Sequence, residues 1–531
     1  MAGWPTFFLL ISVLFLGCGD GSEAGEAVRS GRQNHWINEQ PIGSGTGPVD
    51  KAMLEAGLED PTRWLLYGGN YANYRHSPIT ELTPEAVPNL RVAWTFPTGT
   101  NGQFEVSPVI YDGIMYVSAS HNRLFALDAV TGEVYWRYDH RLPGDLRVCC
   151  GPVNRGVAIA GDAVLMATLD ARLLAFNRLS GEILWDVEII DYRDGYAATS
   201  APLVVGDVAV IGVAGGEYGI RGFFDAYEVQ TGRLVWRHYT VPTEGEPGVE
   251  TWAGESFRTG GSPTWTTGAY DAETNTLFWT TGNPAPDWNG DERAGDNLYS
   301  NSVIAVDPAT GERKWHFQFT PHDVWDFDGN TQVFLVDLER DGVPIKALVQ
   351  ANRNGYFYVL DRTDGRFIAA SPYVEVTWAT IDADGRPVVH PQAGPVEDPD
   401  FRVCPNHLGG MNGAWTGAFN PNLGLAYIPA VESCEFYQKG IVAFTRGQVF
   451  LGGGPQNIDV QAGRAFGHLS AIDVATGEVR WRYEDPHPMM GGPLSTEGGV
   501  VFTGNQSGFA LALDSRTGEV VWRFRLGAGV R

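Results

Sequence analysis

The chain has 531 residues, with 63 Asp and Glu against 37 Lys and Arg, a formal charge of −26. That balance excludes nucleic acid as a partner, since phosphates would be repelled, and it suits a soluble surface and a basic protein partner. Gly 67, Pro 32, Trp 17 and 43% hydrophobic content exclude a disordered chain. At this length a single unit implies a repeat architecture or a large barrel.

The chain opens on an apolar run, Phe7 to Leu16, too short to span a bilayer, that ends in Phe15-Leu16-Gly17-Cys18-Gly19. Residues 1–18 therefore read as an export signal, which implies a periplasmic location. The ending resembles a bacterial lipoprotein cleavage box, in which Cys18 becomes a lipidated N-terminus, although Phe15 stands where Leu is usual. Residues 19–60, polar and Gly-rich, read as a tether, and no later apolar run is long enough for a membrane helix. Setting Cys18 aside leaves Cys149, Cys150, Cys404 and Cys434, an even number that fits an oxidising compartment. No C-x-x-C-H occurs, so no haem is attached by that route.

Residues 61–531 are organised by one recurring phrase. It reads Ala126-Leu127-Asp128-Ala129-Val130-Thr131-Gly132-Glu133-Val134-Tyr135-Trp136, and it returns at 175–185, 226–236, 305–315, 471–481 and 512–522. A worn copy surrounds Asp361-Arg362-Thr363-Asp364-Gly365. Each copy is a strand, a Thr-Gly-type turn and a second strand carrying Trp, which is a hairpin by its turn chemistry. Repeats of roughly 40 to 50 residues with several strands each mean propeller blades. An extra strand at Leu90-Arg91-Val92-Ala93-Trp94 brings the outer strands to eight, so the expected fold class is all-β, an eight-bladed β-propeller. Only nine residues follow Trp522, so the closing blade is expected to be incomplete at the C-terminus. Truncation, completion by another chain or a count wrong by one would each explain this.

The longer gaps between copies hold the chemistry. Asp326 and Asp328 lie two apart in Trp325-Asp326-Phe327-Asp328, which on an extended segment points both carboxylates to one side. With Glu217 in Gly215-Gly216-Glu217 and Asn283 in Thr281-Gly282-Asn283-Pro284, they are the oxygen donors a hard cation takes. Cys149 and Cys150 are adjacent, in Cys149-Cys150-Gly151-Pro152-Val153-Asn154-Arg155-Gly156, and on their own read as reduced or separately paired.

Taken together and in order, that cysteine phrase, Gly215 to Gly222, Thr281 to Pro284, Trp325 to Asp328 and Asn352-Arg353-Asn354-Gly355 resemble the motifs of the pyrroloquinoline-quinone (PQQ) dependent alcohol dehydrogenases, the methanol and ethanol dehydrogenase family. The resemblance covers roughly residues 60 to 526. It implies an eight-bladed propeller of Trp-docking repeats with PQQ and one metal ion in a central funnel. It also implies a vicinal disulfide Cys149–Cys150 on one face of the quinone and Trp265 on the other, where an indole suits a flat cofactor. By the same register Glu105, Arg155, Thr199, Gly215, Gly216 and Asn412 would contact its polar rim, Arg155 matching carboxylates with its fork. Glu217, Asn283 and Asp326 would hold the metal, Asp326 would take the alcohol proton as catalytic base, and Arg353 would hydrogen-bond beside the reacting carbonyl. Asp328 matches the lanthanide-dependent members and favours a lanthanide, with calcium as the alternative. A second bridge, Cys404–Cys434, is implied as a structural staple.

The implied activity is oxidation of a primary alcohol to the aldehyde, hydride passing to PQQ and electrons to a soluble cytochrome c, with a homodimer or a completing partner chain open. Departures from the family are Ala214 for Ser, Pro263 for Thr, and Met490 where Trp is usual, the last implying a reshaped substrate pocket. Two other classes compete. A non-catalytic propeller lipoprotein scaffold would need the Trp repeats but have no use for Cys149, Cys150, Glu217, Asn283, Asp326 and Arg353 together. A sugar or polyol dehydrogenase on the same propeller is not separated by the repeat, though the V-N-R-G and G-G-E phrases lean toward alcohols.

Overall fold

The computed structural model describes residues 34–37 and 47–531, Asp341 excepted. The segment read as an export signal, Cys18 and most of the tether lie outside these residues. Seven units of four antiparallel strands follow one another in chain order as propeller blades, over residues 109–139, 158–188, 203–239, 269–318, 334–372, 418–485 and 494–525; Asn34–Ile37 adds a fifth strand to the first sheet and His76–Ser77 a fifth to the seventh. Burial falls from the axis outward. In the second blade Ala158–Ala160 is wholly buried, whereas Ile183–Glu188 alternates between exposed and half-buried. Among the described residues no helix is long and apolar enough to cross a membrane.

The repeated phrase is what joins one blade to the next. In six blades its Ala pairs with its Trp, as in Ala126↔Trp136 and Ala512↔Trp522, and the strands bulge immediately after the pair. The bulge turns the indole onto the following blade. Trp136, Trp185, Trp236 and Trp481 donate Nε1–H at 3.0–3.1 Å to the carbonyls of Arg178, Val229, Pro308 and Ser515, all in the next blade's turn. A Cβ on the turn glycine Gly311 would meet Trp236 at 2.6 Å, and that glycine has φ +73°. The glycine therefore serves both the left-handed turn and the indole seated on it. In the worn fifth copy Ala369 takes the Trp position, opposite Val359.

The blade number corrects the expectation of eight. Trp94 does dock like a repeat tryptophan: it lies on Gly132 and packs with Phe96 against Val117, Phe125 and Leu127 of the first blade. Residues 90–98 nevertheless form no strand, so Trp94 is a docking indole without a sheet behind it. Counting Trp94 as an outer strand beside the seven repeat copies thus exceeds the number of blades by one.

Residues 64–77 are an axle that the repeat did not reveal. Trp64 exchanges backbone hydrogen bonds with Ile110 of the first blade, and the Tyr71 hydroxyl donates to Val204 O of the third at 2.8 Å. Tyr270 N of the fourth blade donates to Tyr71 O, Leu335 N of the fifth to Ala72 O, Phe419 N of the sixth to Tyr74 O and Ser495 N of the seventh to Arg75 O. His76–Ser77 then pairs parallel with Leu494–Thr496. Just before the axle, residues 47–60, placed by sequence in the tether, pack on the propeller: Val49 bonds Gly161 of the second blade, and Leu54 is 2% exposed in the core.

Candidate active site

Every residue singled out by motif lies in one of two loop types: the loop leading into a blade's first strand, or the loop between its second and third strands. Because strands alternate in direction, both types open at the same end of the ring. Motifs hundreds of residues apart are gathered there for that reason.

Two groups of residues emerge. In the first, Arg155 is 5% exposed, lies 2.8 Å from Glu105 Oε2, donates to Thr199 Oγ1 at 2.8 Å, and places its guanidinium 4.7 Å from the centre of the Trp265 ring. A Cβ on Gly413 would come within 2.7 Å of Trp265, so the chain passes close beside the indole. Asn412 sits at the entrance to the same turn, where its Oδ1 accepts from Ala414 N at 2.9 Å. Beneath this group the axle contributes Arg75, whose guanidinium donates to Tyr67 O and to Ser107 Oγ.

In the second group, Asp328 accepts from Asn283 N at 3.1 Å and from Arg353 at 3.0 Å, and Asp326 lies 3.6 Å from the same Arg353 nitrogen. The Asp326–Asp328 segment is not extended, contrary to the spacing argument: both residues are left-handed, with φ of 58° and 46°. Asp323 imposes this shape, accepting from the backbone of Trp325 and Phe327 and from the Asn301 amide at 2.7–2.9 Å. Glu217, in a short turn after the left-handed Gly215, stands within 4.8 Å of both sulfurs of the Cys149–Cys150 disulfide. Gly216 packs on Pro263, where a Cβ would lie 3.7 Å from Asn283 Oδ1. The 440–452 loop roofs this wall, Phe450 N donating to Glu217 O and Trp288 N to Leu451 O. Met490 lies 8% exposed in a cluster with Met411 and Trp415. Cys404 and Cys434 are joined by a disulfide.

The carboxylates raise one another. Burial pushes Glu217 up to about 7, with the Asp328 charge adding and Arg353 opposing. Burial likewise lifts Asp326 well above the carboxylate range, against Arg353 and with Asp328, Asp287 and Glu217 adding. Asp287, not singled out by sequence, is raised in the same way, by burial first and then by Glu217 and Asp328. A cluster of this kind is complemented by a multivalent cation. Arg155 Nε, Arg353 Nε and Asn330 Oδ1 are buried without a partner, as befits a wall built to meet a polar planar ligand. The donor set and the glycine-lined approach to Trp265 therefore fit PQQ and a hard metal ion.

Residues 64–402 match the family model described as glucose/ethanol/alcohol dehydrogenase, beta-propeller domain. The chain belongs to the PQQ-dependent alcohol dehydrogenases. It is 41% identical to the quinoprotein alcohol dehydrogenase PedH of Pseudomonas putida, over 89% of this chain and 83% of that protein. It is 35% identical to the lanthanide-dependent methanol dehydrogenase of Methylacidiphilum fumariolicum, over 89% and 82%. The solved structure of a europium-containing methanol dehydrogenase superposes with a TM-score of 0.85 at 32% identity, covering 90% of this chain and 88% of that one. Residues 465–531 also match the model of the outer membrane protein assembly factor BamB. As a family member the chain is a quinoprotein oxidoreductase acting on alcohols, which removes the non-catalytic scaffold from the reading.

Proposed function

We propose that this protein oxidises a primary alcohol to its aldehyde in the periplasm, using PQQ and a lanthanide ion and delivering electrons to a cytochrome c. The observation carrying this reading is the convergence on one wall of buried Asn283, Asp328 and Arg353 with half-buried Glu217 and Asp326, next to the Arg155–Trp265 group. Glu217, Asn283, Asp326 and Asp328 would hold the cation. The Cys149–Cys150 disulfide and Trp265 would flank the quinone, and Glu105, Arg155, Thr199, Gly215, Gly216 and Asn412 would meet its rim. When bound, PQQ accepts hydride and the cation acts on it as a Lewis acid.

The chain's own part is positioning and proton transfer. Asp326 receives the alcohol hydroxyl proton. Arg353 holds Asp326 and Asp328 through one guanidinium nitrogen, fixing the base beside the reacting atoms. Asp328 adds a negative oxygen, which favours a trivalent over a divalent ion. Met490, packed on the buried Met411, would give the substrate a deformable apolar contact. The acidic surface, with its formal charge of −26, suits a basic cytochrome. A lipid anchor at Cys18 and a homodimer or completing partner belong to the same proposal.

Protein loaded with PQQ and either La³⁺ or Ca²⁺ is assayed by dye reduction with a primary alcohol, in the wild type and in Asp328→Ala. La³⁺ is expected to support turnover in the wild type and to lose it in the variant. Equal La³⁺ activity in both would overturn the lanthanide assignment. Turnover with neither ion would overturn the catalytic reading.

A further inference from the structure

Two buried carboxylates beside the wall are not used by the cation set above, and of these Asp323 is satisfied by Asn301, Trp325 and Phe327 while Asp287 is not. Asp287 is 1% exposed, and its Oδ1 has no hydrogen-bond partner. Arg293 is the nearby cation, yet its hydrogen bonds go to Pro286 O, Asn297 Oδ1 and Asp323 O instead. The backbone around Asp287 is clamped by neighbours, Trp288 N bonding Leu451 O and the Asn289 amide bonding Gly440 O. The same segment that bonds Trp288 N through Leu451 O also bonds Glu217 O through Phe450 N, which brings Asp287 to the Glu217 side of the wall, close enough for the Glu217 and Asp328 charges to act on it and for the Asn283 amide to bond it. A buried anion without an ion pair destabilises the fold unless a cation compensates it.

We propose that Asp287 is a positioning residue of the cation site, orienting the Asn283 amide and adding a further negative charge that selects a trivalent ion. The inference rests on the cation reading of Glu217, Asn283, Asp326 and Asp328. Coulomb attraction scales with ion charge, so removing one carboxylate from behind the site weakens a trivalent ion more than a divalent one. Asp287→Asn keeps the shape and the amide contact while removing the charge.

PQQ-loaded protein stripped of cation by a chelator is titrated calorimetrically with Tb³⁺ and with Ca²⁺, in the wild type, Asp287→Asn, Asp287→Glu and Glu217→Gln. Asp287→Asn should weaken Tb³⁺ about a hundredfold and Ca²⁺ about twentyfold, so the Tb³⁺ preference drops about fivefold. Asp287→Glu should restore the preference. A general structural defect would weaken both ions equally, and an unchanged preference in Asp287→Asn overturns the proposal. If Glu217→Gln loses Tb³⁺ while Asp287→Asn binds it like the wild type, only the role of Asp287 fails. If the wild type does not bind Tb³⁺, or Glu217→Gln leaves binding untouched, the cation reading itself fails and takes this proposal with it.

Discussion

Asp326 and Asp328 hold backbone conformations that cost non-glycine residues roughly 1 kcal/mol each. The strain is sustained by Asp323, whose carboxylate takes two backbone N–H groups of the same loop. The left-handed turn is what brings both carboxylates to Arg353, so it belongs to the chemistry. Asp326→Asn keeps this geometry but cannot take a proton. It should lower kcat by about 10² to 10⁴-fold, while PQQ absorbance shows the cofactor still bound. The motif residues were readable in sequence because their types and spacing are distinctive. Asp323 and Asp287 were not, since what marks them is burial and the absence or presence of partners far along the chain. The chain-local view also misjudged the 326–328 backbone, because a two-residue spacing says nothing about φ.

At the scale of elements, the Trp-to-Gly contact between consecutive blades carries much of the assembly. Gly311→Ala forces a left-handed alanine and drives its Cβ to 2.6 Å from Trp236; the combined loss should be about 2 to 4 kcal/mol in urea unfolding. Gly161, at φ +59° with nothing within 4 Å of its Cβ position, isolates the backbone part, and Gly161→Ala should lose only about 1 kcal/mol. His238 Nδ1–H donates to Gly311 O at 2.8 Å across the same joint, and burial holds its pKa at about 4. An unfolded histidine titrates near 6.5. The unfolded chain therefore binds more protons between pH 6.5 and 4, and stability falls as pH drops through that window. The melting temperature of His238→Gln should decline less steeply over it. The hairpins themselves were plainly legible, since the Thr-Gly turn and the Ala–Trp pair recur; the handing of each indole to the next blade was not.

At the scale of the molecule, the propeller was readable from period and turn chemistry, but the number of blades was not, because Trp94 imitates an outer strand. The axle was invisible for a different reason: residues 64–77 contain no repeat, and their partners are scattered from Ile110 to Glu497. Asn73, left-handed at φ 62°, donates to Gly268 O and Val333 O and accepts from Gln332, tying the fourth and fifth blades. Asn73→Ala should cost about 2 to 3 kcal/mol in chemical denaturation, from two lost side-chain bonds and the loss of a residue tolerant of that φ. The axle also bears on the order of assembly. It leaves the ribosome before any blade, yet its last partners, Ser495 and Glu497, lie in the seventh blade and are made after the other six. Blades can form as they emerge, hairpin by hairpin, but the axle finds its complete set of partners only when the seventh exists. Joining residues so far apart is a slow, high-contact-order event, so refolding is limited by the seating of one early segment rather than by the making of sheets.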